Sequence, residues 1–408
     1  MNIYDDYSDD AVGKALIERT ISSYYDDELE IVRPYKFAYC ENLSFFSCSK
    51  LSWIGSSAFQ GCSNLSSFIF PESICVQIET AAFREAGLRE VSACALFAGY
   101  DTFQSCQNLK NVNISISRAS TQYQSFPTYS IPHRTFDGCI NLESFNATYN
   151  GQISFAGYGT ACFRSCQKLV LGNEYFQNVT GEISADAFRF CKSLSCVISI
   201  SNSFYLQGGY IFADTGIAGV NMPKAQVSTY MSSQASSIFA GCSNMSFAFM
   251  DELSIVYPYM FAECINLESV RFNSITGISF GGFFHCSKLS MFLAPPTLLS
   301  IYTYAFSGCS NLRLFVASPS LSYISYAFEG VHSQFMIILK YSDVIPVGFT
   351  SGVGLFGFEK YSSWKDRRIY VPDSLYEAYL GYSSWGGIYS SILYSFSDLP
   401  SEYSSYLT

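Results

Sequence analysis

The stretch AFSGCSNL, residues 305–312, decides the fold, because the chain writes it more than once. AFQGCSNL stands at 58–65 and IFAGCSNM at 238–245. Aligning on Phe-x-x-Cys-x-x-Leu carries the phrase along most of the chain. Its triplets are Phe37/Cys40/Leu43, Phe59/Cys62/Leu65, Phe103/Cys106/Leu109, Phe136/Cys139/Leu142, Phe163/Cys166/Leu169, Phe188/Cys191/Leu194, Phe261/Cys264/Leu267, Phe283/Cys286/Leu289 and Phe306/Cys309/Leu312. Phe239/Cys242/Met245 is the same unit with Met for Leu. AFREAGL (Phe83, Leu88) and IFADTGI (Phe212, Ile217) are one residue shorter and lack the Cys, and a degenerate copy begins at Phe328. Thirteen units result, the later ones 22 or 23 residues apart. A unit this short cannot bury its own apolar face, so neighbours must stack and share one core.

Each unit also carries an apolar pulse before the Phe, as in LSWIGSSAF (51–59) and LLSIYTYAF (298–306). After the Cys comes a period-2 stretch such as LKNVNIS (109–115) or LESVRFN (267–273). Alternation over four to six residues reads as a half-buried strand. One coil is therefore a strand, a turn, a second short extended segment and an aromatic corner where each Phe stacks on its counterpart. The fold class this predicts is a repeat solenoid of short parallel strands, mostly β and loop.

This pattern resembles the leucine-rich repeats of the BspA-like, or Treponema pallidum, type over roughly residues 29–340. The resemblance implies a horseshoe with one strand per repeat on its concave face, and a surface-exposed binding protein. RRIYVPDSLYEAYLGYSSW (367–385) also resembles the end segment of such proteins from gut bacteria and their prophages. Two departures stand out. The spacing stretches to 33 residues between Phe103 and Phe136, and the prolines expected after the strand are mostly missing.

The predicted organisation is an N-terminal cap at 1–28, the solenoid at 29–340 and a C-terminal cap at 341–408. In the first, Val12, Leu16 and Arg19 lie at helical spacing after Asp9 and Asp10, which suit a helix N-terminus. In the last, Pro372 opens a helix over DSLYEAYL, with Trp364 and Trp385 wedging it onto the final coil. A small separate binding module is the other reading of this tail. The stretches 115–134 and 222–237 read as loops bulging from the solenoid edge.

With 49% apolar and 14% charged residues there is ample core material. The net charge of −10 argues against a nucleic-acid partner, which needs clustered Lys and Arg. No run is long and apolar enough for membrane insertion, and no basic, then apolar, secretory leader is visible at the N-terminus. A location outside the cell or on a virion fits the resemblance, and a cytoplasmic one is left open. Ten of the fifteen cysteines share one repeat position, which reads as a buried ladder of reduced thiols, with disulfides undecided. His133, His285 and His332 fall in separate units, so no catalytic triad, metal site or cofactor is expected, nor an enzyme. The N-x-S/T sequons, Asn64 and Asn244 among them, arise mostly because the repeat itself spells C-x-N-L-S.

If Leu109, Val112 and Ile114 point inward, Asn111, Asn113 and Ser115 point out. The same register exposes Ser144, Asn146 and Thr148, then Ser269, Arg271 and Asn273, with Phe45, Ser47 and Ser67 earlier on that face. Phe45, Asn113, Arg271 and Leu314 are expected at comparable register there. The candidate binding residues are thus Ser67, Asn111, Asn113, Ser144, Asn146, Ser269, Arg271 and Asn273. A broad hydrogen-bonding surface of this kind suits a protein or glycan on a cell surface better than a small molecule. The alternative is a structural spacer whose Ser and Asn merely keep the sheet soluble.

Overall fold

The computed structural model describes residues 19–116, 130–149, 155–228, 236–341, 356–357, 365–382, 385 and 389–407. The helix expected near Val12, Trp364 and most of the two loop insertions lie outside these residues. The chain divides into two compact units, 1–196 with 204–207, and 197–203 with 208–408.

Most coils contribute to two ladders of parallel strands, although the coil after Cys166 adds only a single bridge, Val170 to Ser144, to the first. In the first unit the strand that follows the Cys motif forms one ladder, with Ser23–Tyr25, Phe45–Ser47 and Ser67–Ile69 in register. The corresponding strands further on, Asn111–Ile116 and Ser144–Tyr149, pair with each other and with Glu90–Phe97 in a separate sheet. The pulse before the Phe forms the other, through Ile31–Val32, Trp53–Ile54 and Val76–Ile78, then Ser130–Ile131, Gly157–Tyr158, Glu182–Ser184 and Phe204–Gln207. In the second unit the first ladder is Val197–Ser199, Gly219–Asn221, Phe247–Phe249 and Ser269–Arg271, then Met291–Leu293, Leu314–Val316 and Met336–Ile338. Its second ladder is Ile255–Val256, Gly277–Ile278, Ser300–Ile301 and Tyr323–Ile324. Period-2 alternation places Phe46, Phe68, Val112 and Phe145 inside in one unit, and Ile198, Val220, Phe292 and Phe315 inside in the other.

The corner Phe rings stack coil on coil, from Phe37 to Phe188 in the first unit and from Phe212 to Phe328 in the second. Centroids lie 5.0–5.6 Å apart at interplanar angles of 2–16°. Every corner bends through two left-handed residues, one two positions before the Phe and one two after, such as Tyr259 and Glu263 around Phe261. A left-handed residue other than glycine costs about 1–2 kcal/mol. Bonds to the next coil offset that cost. Around Phe261, the N–H groups of Tyr259, Phe261 and Glu263 donate to the carbonyls of Phe280, Gly282 and Phe284 at 3.0, 2.9 and 2.8 Å. Glycine is needed outright at position 308, where φ is +74° and a Cβ would run into the His285 ring.

The motif cysteines close the same corner. Nine of the ten motif thiols donate to the carbonyl of the preceding coil's Phe at 2.9–3.1 Å, as Cys286 does to Phe261 at 3.1 Å. The Phe261 carbonyl also accepts the backbone N–H of Cys264, so both its lone pairs are used. The two units without Cys place Ala86 and Thr215 at that point, and the Thr215 hydroxyl donates to the Phe212 carbonyl at 2.8 Å. The Asn of C-x-N-L adds a third backward bond: Asn64, Asn141, Asn266 and Asn311 donate to the preceding coil's carbonyls at 2.6–2.8 Å.

Between Phe83 and Phe103 the coil is shorter, and a single strand, Glu90–Phe97, serves both ladders. Glu90–Cys94 pairs with Asn111–Ser115, and Ala95–Phe97 pairs with Val76–Ile78. Cys94 is disulfide-bonded to Cys75. At the other end Arg368–Val371 and Leu393–Ser395 extend the first ladder past the last Phe corner. Pro372 precedes a 3-10 turn, Asp373–Leu375, that runs into the helix Tyr376–Gly381. Trp385 is fully buried against Phe356, Tyr379 and Tyr389.

Candidate functional site

The outward face of the first ladder holds the residues that the sequence singles out, in two rows. Phe45 and Ser67 share the first row, and Glu90, Asn111 and Ser144 hold the equivalent places in the next sheet. Ser92, Asn113 and Asn146 lie in the second. All four candidates from Asn111 to Asn146 are exposed, as is Ser67. They are occupied with one another, however. The Ser144 hydroxyl donates to Asn111 Oδ1 at 2.8 Å, and Asn146 Nδ2 to Asn113 Oδ1 at 3.3 Å. Between Asn111 and Asn146 the face of the first unit is thus a set of cross-strand pairs of the kind that stabilises a sheet.

In the second unit the same face changes character. Ser269 lies opposite Phe247, and Arg271 opposite Phe249. Arg271 makes two bonds to the Asp251 carboxylate, at 2.8 and 3.2 Å, and sits 4.6 Å from the Phe249 ring centroid. Asn273, also exposed, follows on the same side, its N–H on the Asp251 carbonyl at 3.3 Å. Phe247 and Phe249 are half-buried and 4.9 Å apart, and Phe247 lies over Gly219, where any Cβ would strike its ring. Beyond Arg271 come the exposed Met291 and Leu293.

Sequence reasoning missed Phe247, Phe249, Met291 and Leu293. Large apolar residues in SFAFM and SMFLA read as core, yet it is Ala248 and Phe292 that point in. The signal was the register itself, since the residue two after the motif Leu or Met lies on the outward row in most coils, as Ser67, Asn111, Ser144 and Ser269 do, although Leu171 turns in.

Two expectations need correction. Phe45 and Leu314 belong to the first row, whereas Asn113 and Arg271 lie two residues further along, in the second. Leu314 is only 5% exposed, because the C-terminal segment folds over it. Leu314, Val316, Ile338, Tyr370 and Leu399 form one cluster, with Tyr403, Tyr406 and Leu407 packed against it. The 3-10 turn Ser401–Tyr406 thus covers the end of the face, and the Tyr406 hydroxyl reaches Met291 Sδ at 3.5 Å.

The reactive side chains are structural. Burial pushes the thiols of Cys62 and Cys106 up to about 12, and those of Cys264 and Cys286 well above the ordinary thiol value. His133 Nδ1 accepts the Thr160 N–H at 2.8 Å, and His332 Nδ1 accepts the Gln334 N–H at 3.0 Å. His285 Nδ1 meets Glu263 Oε1 at 2.8 Å. Among the described residues no group of His, Cys, Asp and Glu could hold a metal ion, and no helix is long and apolar enough to cross a membrane.

Two parallel ladders joined by aromatic corners define a leucine-rich-repeat solenoid. The family model of the BspA-type leucine-rich repeat region matches residues 30–131, 120–235 and 232–346, and the chain belongs to that family. A leucine-rich repeat protein from Bacteroides ovatus is 16% identical over 93% of this chain and 84% of that one, with a TM-score of 0.53. The pneumococcal vaccine antigen PcpA is 16% identical over 92% of this chain and 81% of its own, at 0.40. The T. pallidum leucine-rich repeat protein is 15% identical over 55% and 78%, at 0.26. No curated protein sequence matches the chain.

Proposed function

We propose that this is a non-enzymatic recognition protein that engages a protein partner through the outward face of the first ladder in its second unit. The observation that carries this reading is the half-buried Phe249 beside the exposed Arg271, Met291 and Leu293, a set quite unlike the mutually bonded Asn and Ser pairs between Asn111 and Asn146. Aromatic, Met and Arg side chains are the types enriched in protein interfaces and their energetic centres. The protein's own tail supports it further, since Tyr403, Tyr406 and Leu407 cover the continuation of this face. A partner on a cell surface, with this chain displayed outside the cell or on a virion, is the setting that the family suggests. The spacer reading draws on the first unit, where the Asn and Ser pairs satisfy one another.

The test is capture from fractionated cell envelope, with a glycan panel alongside. Parent protein, a Phe249→Ala/Arg271→Glu/Leu293→Ser variant and an Asn113→Glu/Asn146→Glu variant are compared at matched folding. The reading requires a proteinaceous component retained by the parent and by the Asn variant but lost with the first. Retention of a glycan on this face, or of nothing at all, would remove it.

A further inference from the structure

The second ladder of the second unit carries a groove on a different strand face from the one discussed above. It measures about 550 Å³ and runs across the strands Gly277–Ile278 and Ser300–Ile301. Its floor is notched because Gly277 stands between Ile255 and Ser300 in register. Phe280 and Tyr302 form its aromatic walls, with Phe280 39% and Tyr302 47% exposed. The exposed Tyr323 ring lies 5.5 Å from Tyr302, extending the aromatic surface by one more coil. Hydroxyls from Thr276, Ser279, Ser300 and Thr303 line the same space, and none of the lining residues carries a charge.

We propose that this groove binds a neutral, linear polysaccharide. A pyranose ring has one face of C–H groups, which are weakly positive, and an edge of hydroxyls. The C–H face packs on the negative face of an aromatic ring, and the hydroxyls exchange hydrogen bonds with short side chains that both donate and accept, such as Ser and Thr. A lining without charge favours an uncharged ligand, because an anion or a cation would lose its hydration with no opposite charge to replace it. The groove is open along the ladder, and the same chemistry recurs one coil on, as strands about 4.8 Å apart dictate. A polymer that repeats a ring along its length fits such a surface better than a free monosaccharide.

The experiment is affinity electrophoresis of the full chain through gels containing soluble glucan, mannan, xylan or, as the anionic comparison, polygalacturonate. At least one neutral polymer should retard the parent. Tyr302→Ala/Tyr323→Ala should weaken that interaction about ten-fold or more, the scale of losing well-packed aromatic contacts. Gly277→Val leaves the rings in place but fills the notch; the added Cβ meets the Ser300 hydroxyl at 3.1 Å and its carbonyl oxygen at 3.9 Å, and the same loss is expected. Arg271→Glu, on the other ladder, should leave retardation unchanged, which separates this site from the protein-binding face. The proposal fails if no neutral polymer retards the parent, if polygalacturonate retards it more strongly than any of them, or if neither groove variant changes the retardation.

Discussion

The aromatic corner and the outward face of the first ladder are built from the same coils and follow opposite rules. At the corner every coil repeats the same solution, a stacked Phe and two left-handed residues, and nine coils add a Cys three positions on that bonds backward. On the outward face neighbours differ, Asn111 and Asn113 in one coil, Phe247 and Phe249 in another, Met291 and Leu293 in a third. The corner is constrained because each part touches its own copy above and below, so one misfit disturbs two interfaces. The face touches solvent, so its residues are free to specialise. What is uniform in this molecule holds it together, and what varies is available for recognition.

The strongest way to break that comparison is to cut the corner. Phe261→Ala should cost about 3–5 kcal/mol, from a cavity between two stacked rings. Tyr259→Ala, two residues away and 39% exposed, should cost much less. Denaturant melts of the two variants give the answer, and equal losses would undo the distinction. A second effect is distributed over the thiols. Burial raises Cys139, Cys264 and Cys286 well above the ordinary value of 9.0, and Cys62 and Cys106 up to about 12. The native state therefore holds protons that the unfolded chain releases first, so this stability is fully present below about pH 8 and is lost as pH rises toward the folded values. Melting temperature should fall steadily above about pH 9, and less steeply once several motif cysteines are replaced by alanine. Third, Cys286→Ala removes one backward bond and a little volume, and should cost about 1–2 kcal/mol in the same melts. Smallest is the face: Phe249→Ala with Arg271→Glu should stay within about 1 kcal/mol of the parent while abolishing partner capture. A large destabilisation there would make these residues part of the framework.

The corner was legible because identical neighbours must be written identically: Phe37 through Phe328 announce the stack in the sequence alone. The inward positions Val112 and Ile114 followed from simple alternation. The left-handed pair did not, since glycine marks it at Gly61 or Gly308 but Tyr259, Glu263 and His285 adopt the same backbone elsewhere. Interstrand bonds to the next coil impose that conformation, and no local propensity advertises it. The burial of Leu314 was hidden for another reason, because its cover arrives from Tyr403 and Tyr406, some ninety residues later. The sites on the faces were only partly legible. Arg271 could be placed outward, but that Asn113 and Asn146 bond to each other, and that Phe249 lies under Arg271, depends on which coils end up adjacent.

The strand Glu90–Phe97 has a mechanical consequence. Elsewhere among the described residues of the first unit no other strand serves both ladders, so a pull on the chain could peel one coil at a time. Here a single stretch of backbone is hydrogen-bonded into one ladder through Cys94 and into the other from Ala95, with Cys94 bonded to Cys75 as well. Tension that reaches this coil must shear both sheets together, so unravelling from either side should stall there. The point where the repeat is shortest is thus a rivet, and the shortening is what drives it through both plates.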